Sequence, residues 1–92
     1  MSYNVRLTDK AAKDLRGMDG SVRPLIIKSL EKLASTPEVG KPLTYEFTNL
    51  FSYRASSYRI IYRILGEEIT VLVVAIGHRR EVYDRLRKII GL

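Results

Sequence analysis

The chain has no cysteine and a single histidine among its 92 residues. It therefore has neither a disulfide nor a thiolate metal site, and one imidazole cannot build a histidine metal cluster. A glycine-rich phosphate loop is missing, as is an acidic cluster suited to holding magnesium. The opening run Met1-Ser2-Tyr3-Asn4-Val5-Arg6 lacks the apolar core of a signal peptide. The longest apolar stretch, residues 69–76, has the length of a strand, far short of the ~20 residues that span a bilayer. No repeat, low-complexity tract or linker interrupts the sequence. These absences describe one small soluble domain over residues 1–92, expected in the cytoplasm, with no metal, no small-molecule cofactor and no membrane partner.

What the chain has in excess is arginine. Sixteen Lys and Arg against ten Asp and Glu leave a net charge of +6, and ten of the sixteen are arginine. Lysine alone would serve for solubility, whereas the planar guanidinium fork suits bidentate capture of phosphate or carboxylate. Charge by itself leaves nucleic acid, a membrane surface and an acidic protein all open as partners.

Periodicity gives the order β-α-α-β-β-β-α. Val5 and Leu7 alternate with polar neighbours in a short first strand. Thr8 caps a helix over residues 9–18 with Ala11, Leu15 and Met18 on one stripe, and Asp19-Gly20 breaks it. Ser21 is the expected cap of a second helix, with Pro24 in its first turn, Val22, Ile26, Leu30 and Leu33 at helical spacing, and an end at Ser35-Thr36-Pro37. Residues 38–50 show no period and read as a loop. Three strands follow at 51–55, 58–65 and 68–76, joined by Ser56-Ser57 and Gly66-Glu67 as an antiparallel meander. Val82, Leu86, Ile89 and Ile90 mark a last helix over 80–90 that stops at Gly91. The expected fold is α+β, a small, antiparallel-rich twisted sheet with a helical hairpin on one face.

In the middle strand, Tyr58, Ile60, Tyr62 and Ile64 share one face and Arg59, Ile61, Arg63 and Leu65 the other. The apolar set belongs to the hairpin, so Arg59 and Arg63 project from the opposite face, ~13 Å apart at the strand repeat. The last strand is apolar on both faces, hence central, and the final helix must cover part of the second face. A cleft bounded by that helix, Arg59 and the residues around Gly77 follows. Arginine, tyrosine and histidine suffice for metal-free cleavage of RNA by its own 2′-hydroxyl. The protein has to align that hydroxyl, accept its proton, stabilise the phosphorane and help the 5′-oxygen leave.

The ordered segments Leu33-Ala34-Ser35-Thr36-Pro37, Gly40-Lys41-Pro42-Leu43, Tyr58-Arg59-Ile60-Ile61-Tyr62, Gly77-His78-Arg79 and Val82-Tyr83 resemble the RelE/ParE superfamily of type II toxins, its RelE branch above all. The resemblance spans essentially the whole chain and rests on the order and spacing of pieces that are individually unspecific. It implies a RelE-like fold and a ribosome-associated endoribonuclease that cleaves mRNA, inhibits translation and is silenced by a cognate antitoxin. It assigns Arg59 to the transition state, Arg79 to the scissile phosphate and Tyr83 to the nucleotide and its proton transfers. His78, beside Arg79, stands where related toxins often carry a basic residue, and joins them as a candidate acid or base. Arg54, Arg63 and Arg80 are read as RNA-binding, and Arg85 and Arg87 as diffuse attraction for RNA or antitoxin. One departure is plain: two basic residues common in strongly active relatives fall on Leu50 and Ser52 here. That substitution opens two alternatives, a ParE-type inhibitor of DNA gyrase and a degenerate relative that only binds its antitoxin. The bland readings are an Arg59 paired with Glu67 or Glu68, a Tyr83 serving as a rim aromatic, and a solvated His78.

Overall fold

In a computed structural model that describes residues 2–89, the chain forms β1 (Asn4–Leu7), α1 (Asp9–Arg16), α2 (Arg23–Ser35), β2 (Lys41–Pro42), β3 (Phe51–Ala55), β4 (Tyr58–Leu65), β5 (Thr70–His78) and α3 (Val82–Ile89). The strands make one five-stranded sheet in the order β1-β5-β4-β3-β2, with β1 parallel to β5 and the other neighbours antiparallel. The α+β architecture and the central last strand match the sequence reading. Ile90 and Gly91, where the last helix was expected to end, lie outside the described residues.

Local chemistry accounts for the helices. Thr8 sits in extended backbone and its Oγ1 accepts the Ala11 N–H at 3.1 Å, a side-chain N-cap for α1. Ala11 is fully buried, and Leu15 and Met18 lean on the same cluster. In α2, Ile26, Leu30 and Leu33 face the sheet, and each such side chain contributes roughly 1.5–3 kcal/mol when fully buried. The cap expected at Ser21 is displaced by one residue. Ser21 gives its N–H and hydroxyl to the Asp19 carboxylate at 2.9 and 3.0 Å, which holds that carboxyl below its usual range, and Val22 occupies the N-cap. Here a local Asx turn outcompetes the cap.

Two further boundaries move. The segment read as loop contains the two-residue strand β2 between short 3-10 turns at Pro37–Val39 and Tyr45–Phe47. Gly66–Glu68 is also a 3-10 turn, and Ile69 adopts φ 49°, so β5 starts at Thr70 and runs on through Gly77 and His78.

A β-bulge in β5 decides which side chains meet. Ile61 pairs with Ala75 but Tyr62 pairs with Val73, which leaves Val74 as the extra residue. Val73 and Ile76 therefore face the helical hairpin, while Val74 and Ala75, adjacent in sequence, both face α3. Past the bulge the alternation is inverted. Gly77, opposite Arg59, looks toward α3, and His78, opposite Tyr58, looks toward the hairpin.

Tyr62 ties the connection before β2 to the sheet. It is fully buried, its hydroxyl donates to the Pro37 carbonyl at 2.7 Å and accepts the Gly40 N–H at 3.0 Å, and its ring stacks on Phe51. A Cβ at Gly40 would collide with the phenol oxygen, so glycine is required there by close approach. Burial raises the Tyr62 phenol above its ordinary value of 10.0, opposed in part by the Gly40 N–H. Tyr62→Phe strands both backbone groups and is expected to destabilise the fold by about 1–3 kcal/mol in urea denaturation. Because the folded phenol holds its proton more tightly than the unfolded one, wild-type stability is intact below pH 10.0 and declines above it, a decline the phenylalanine variant lacks.

Candidate active site

One face of the sheet is only partly covered. Val82 and Leu86 of α3 close over Ile61 and Ala75, with Phe47 and Leu50 completing a small apolar cluster. Beside it the ladder places side chains in two rows. Lys41, Ser52, Ile61 and Ala75 stand side by side across four strands, and Arg54, Arg59 and Gly77 across three. Directly opposed residues project from the same face. The result is a cleft of about 330 Å³ lined by Lys41, Leu43, Ser52, Arg54, Arg59 and Tyr83.

Tyr83 enters from the first turn of α3. Its hydroxyl donates to Ser52 Oγ at 3.1 Å and its ring lies 5.9 Å from that of Phe47. The helix is itself tied to the far edge of β5. β1 pairs with β5 only as far as Val73, which leaves Ile76 without a β1 partner for its N–H and C=O. Asp14 of α1 accepts the N–H at 3.1 Å and Arg85 of α3 donates to the C=O at 2.8 Å, and the two side chains pair at 3.5 Å. Lys10 also pairs with Asp14. Gly77 makes room for this bridge, since a Cβ there would lie 2.6 Å from the Arg85 guanidinium. Arg85, expected to provide diffuse attraction, is thus a structural tie.

Among the described residues the two guanidiniums of the cleft have only carbonyl partners: Arg54 Nε to Ser56 at 3.5 Å and Arg59 to Tyr58 at 3.3 Å. Among the described residues no carboxylate comes within ion-pair reach of Lys41, Arg54, Arg59 or Arg79. The paired acids are Asp14, Glu46, Glu68 and Asp84, held by Lys10, Arg85, Arg87 and Arg6. The bland alternative, Arg59 paired with Glu67 or Glu68, is not seen among the described residues: both acids lie in the turn beyond the far end of β4, and Glu68 faces Arg6 at 3.7 Å.

The remaining candidates are distributed around this cleft. Arg79 is exposed at the end of β5, its N–H bonded to the Ser57 carbonyl at 2.8 Å, which sets it against the β3–β4 turn that flanks Arg54 and Arg59. Arg80 is exposed in the turn between β5 and α3 and donates its N–H to His78 Nδ1 at 3.3 Å. His78 is not in the cleft. The bulge turns it to the hairpin side, edge-on to Tyr58, into a groove of about 670 Å³ shared with Lys10, Asp14, Glu81 and Arg85. Arg63 borders a third cavity, of about 380 Å³, with Pro42, Leu50 and Ile64. Lys41 is the residue that sequence reasoning missed, since a two-residue strand between Gly40 and Leu43 gives no periodic signal.

The ParE toxin family of type II toxin–antitoxin systems (parDE) matches residues 5–83. Toxin RelG of Mycobacterium tuberculosis is 36% identical over 87 residues, covering 92% of this chain and 100% of the relative. The mRNA interferase toxin RelE of Escherichia coli K12 is 29% identical over 96 residues, covering 96% and 97%. The chain belongs to the RelE/ParE toxin superfamily. Its fold is that of solved members. The toxin–antitoxin complex RelBE2 from M. tuberculosis matches with TM-score 0.81 at 34% identity over 86% of this chain and 93% of that one. The isolated E. coli RelE toxin matches with TM-score 0.72 at 26% identity over 97% and 99%.

Within this toxin fold the opposed Arg54 and Arg59 repel each other across the ladder. Arg59→Gln is expected to stabilise the protein by about 0.2–1 kcal/mol at low ionic strength. The gain, read by urea denaturation, should fade in molar salt as screening shortens to about 3 Å.

Proposed function

We propose that this chain is the toxin of a type II toxin–antitoxin pair and that it cleaves mRNA in the cytoplasm, on the ribosome, by attack of the RNA 2′-hydroxyl. The observation that carries the reading is a pair of uncompensated guanidiniums beside a phenol in one open cleft. Like charges held face to face without a carboxylate raise the energy of the free protein, and a bound phosphodiester relieves it. The relatedness to RelE of E. coli, a protein named as an mRNA interferase, supports the same chemistry.

In this mechanism the RNA supplies the nucleophile and the protein supplies geometry and charge. Arg59 and Arg54 stabilise the extra negative charge of the phosphorane. Arg79, exposed beside the β3–β4 turn, holds the scissile phosphate or its neighbour. Tyr83, which shares the cleft with the two guanidiniums, accepts the 2′-hydroxyl proton. Alignment of the attacking oxygen contributes ~7–11 kcal/mol at best, and proton transfer about 10²–10⁴-fold. Arg63 and Arg80 extend the positive surface along the strand of RNA and the rRNA around it. His78 opens onto the opposite side of the sheet, so proton transfer within the cleft does not involve it.

The partner that silences such a surface is an antitoxin with acidic residues to meet Arg54, Arg59 and Arg79, and a helix or strand to cover the sheet rim. A toxin–antitoxin complex, RelBE2 of M. tuberculosis, is among the structures of similar fold.

Mapping mRNA 5′ ends after brief expression without antitoxin tests the reading. Cleavage inside translated codons is expected, with Arg59→Ala and Arg79→Ala each reducing it about 10²–10³-fold. Intact mRNA together with gyrase trapped on broken DNA would contradict it.

A further inference from the structure

We propose that Lys41 is the general acid of the cleavage step, protonating the departing 5′-oxygen. This deepens the nuclease reading and rests on it. The chemistry requires two proton transfers, one from the 2′-hydroxyl and one to the 5′-oxygen. Of the six side chains that line the cleft, Leu43 is inert and Arg54 and Arg59 hold their protons too tightly to transfer them. Ser52 Oγ accepts the Tyr83 hydroxyl, and an aliphatic alcohol is too weak an acid to serve near neutrality. Two groups suited to proton transfer remain, Tyr83 on α3 and Lys41 on β2, and both adjoin Ser52, one bonded to its hydroxyl and one paired with it across the ladder. An in-line displacement needs its acid and base to be separate groups, and Tyr83 and Lys41 reach the one cleft from different elements.

The position is also held in place. Gly40, the residue before Lys41, is bonded to the buried Tyr62 hydroxyl, and β2 is paired with β3 at both of its residues. Ser52 stands in the same row, so an ammonium placed there would reach the same part of the cleft.

The step balances as follows. The 2′-oxygen gives its proton to the Tyr83 phenolate and its lone pair forms the new P–O bond. The P–O5′ bond breaks with its electron pair on the 5′-oxygen, which takes a proton from the Lys41 ammonium. The products are a 2′,3′-cyclic phosphate and a 5′-hydroxyl. Water then returns a proton to Lys41 and removes one from Tyr83.

The test is single-turnover cleavage on programmed ribosomes with two mRNAs, one ordinary and one whose scissile 5′-oxygen is replaced by sulfur. A thiolate leaves without a proton. Lys41→Ala is expected to slow cleavage of the ordinary mRNA about 10²–10⁴-fold, to cleave the sulfur-containing mRNA at nearly the wild-type rate, and to recover on the ordinary mRNA when combined with Ser52→Lys. Equal losses on both substrates would assign Lys41 to binding or structure and overturn the proposal. So would an unchanged rate for Lys41→Ala on the ordinary mRNA, with the nuclease reading left standing. Failure of the wild-type protein to cut either mRNA would instead remove the nuclease reading and this inference with it.

Discussion

A strand that is apolar on both faces has to be covered on both, and β5 sets this condition for the whole molecule. Val71, Val73 and Ile76 point one way and Ala75 the other, all with no more than 1% of their surface exposed. The α1–α2 hairpin answers the first face and α3 the second. The second cover, Val82–Ile89 among the described residues, reaches Ile61 and Ala75 but leaves the row formed by Arg54 and Arg59 open to solvent. The unfinished cover is the cleft. Its depth follows from an apolar cluster on one side and the β2–β3 ladder on the other.

Holding α3 in register takes more than hydrophobic contact. Ile76 has no β1 neighbour for its polar backbone groups, and such groups are costly to leave bare. A carboxylate from α1 and a guanidinium from α3 satisfy both and also pair with each other. One bridge therefore joins the two helical layers through the edge of the central strand and fixes the turn of helix that carries Tyr83. On the far side, the buried Tyr62 hydroxyl does the equivalent work for the segment carrying Lys41. The charged residues that lack carboxylates are thus presented by rigid elements. Such preorganised charge acts on a developing phosphorane without a reorganisation cost at the moment of reaction.

Much of this was legible beforehand for a physical reason. Helical stripes such as Ile26, Leu30 and Leu33, the Thr8 cap, and the alternation that separates Arg59 from Ile60 are local patterns with tertiary consequences. The central position of β5 followed from its two apolar faces. The parts that escaped depend on contacts distant in sequence. The β5 bulge is invisible in the run Val73-Val74-Ala75, where every residue is apolar whichever way it faces, yet it sends His78 to the other side of the sheet. Lys41 lies in a segment whose conformation is imposed by Tyr62, more than twenty residues further along. Arg85 reads as a surface charge until the gap over Gly77 is seen.

The central claim is that RNA is held in the cleft of Arg54, Arg59 and Tyr83 and not in the larger groove that holds His78. Titration of uniformly 15N-labelled protein with a trinucleotide that is 2′-O-methylated, and so cannot be cut, tests it most directly by amide and guanidinium chemical shifts. The account predicts perturbations centred on Ser52, Arg54, Arg59 and Tyr83, with Lys10, Asp14 and His78 nearly unmoved. Shifts centred on the α1–β5 groove around His78, with the Arg54–Arg59 row silent, would contradict it.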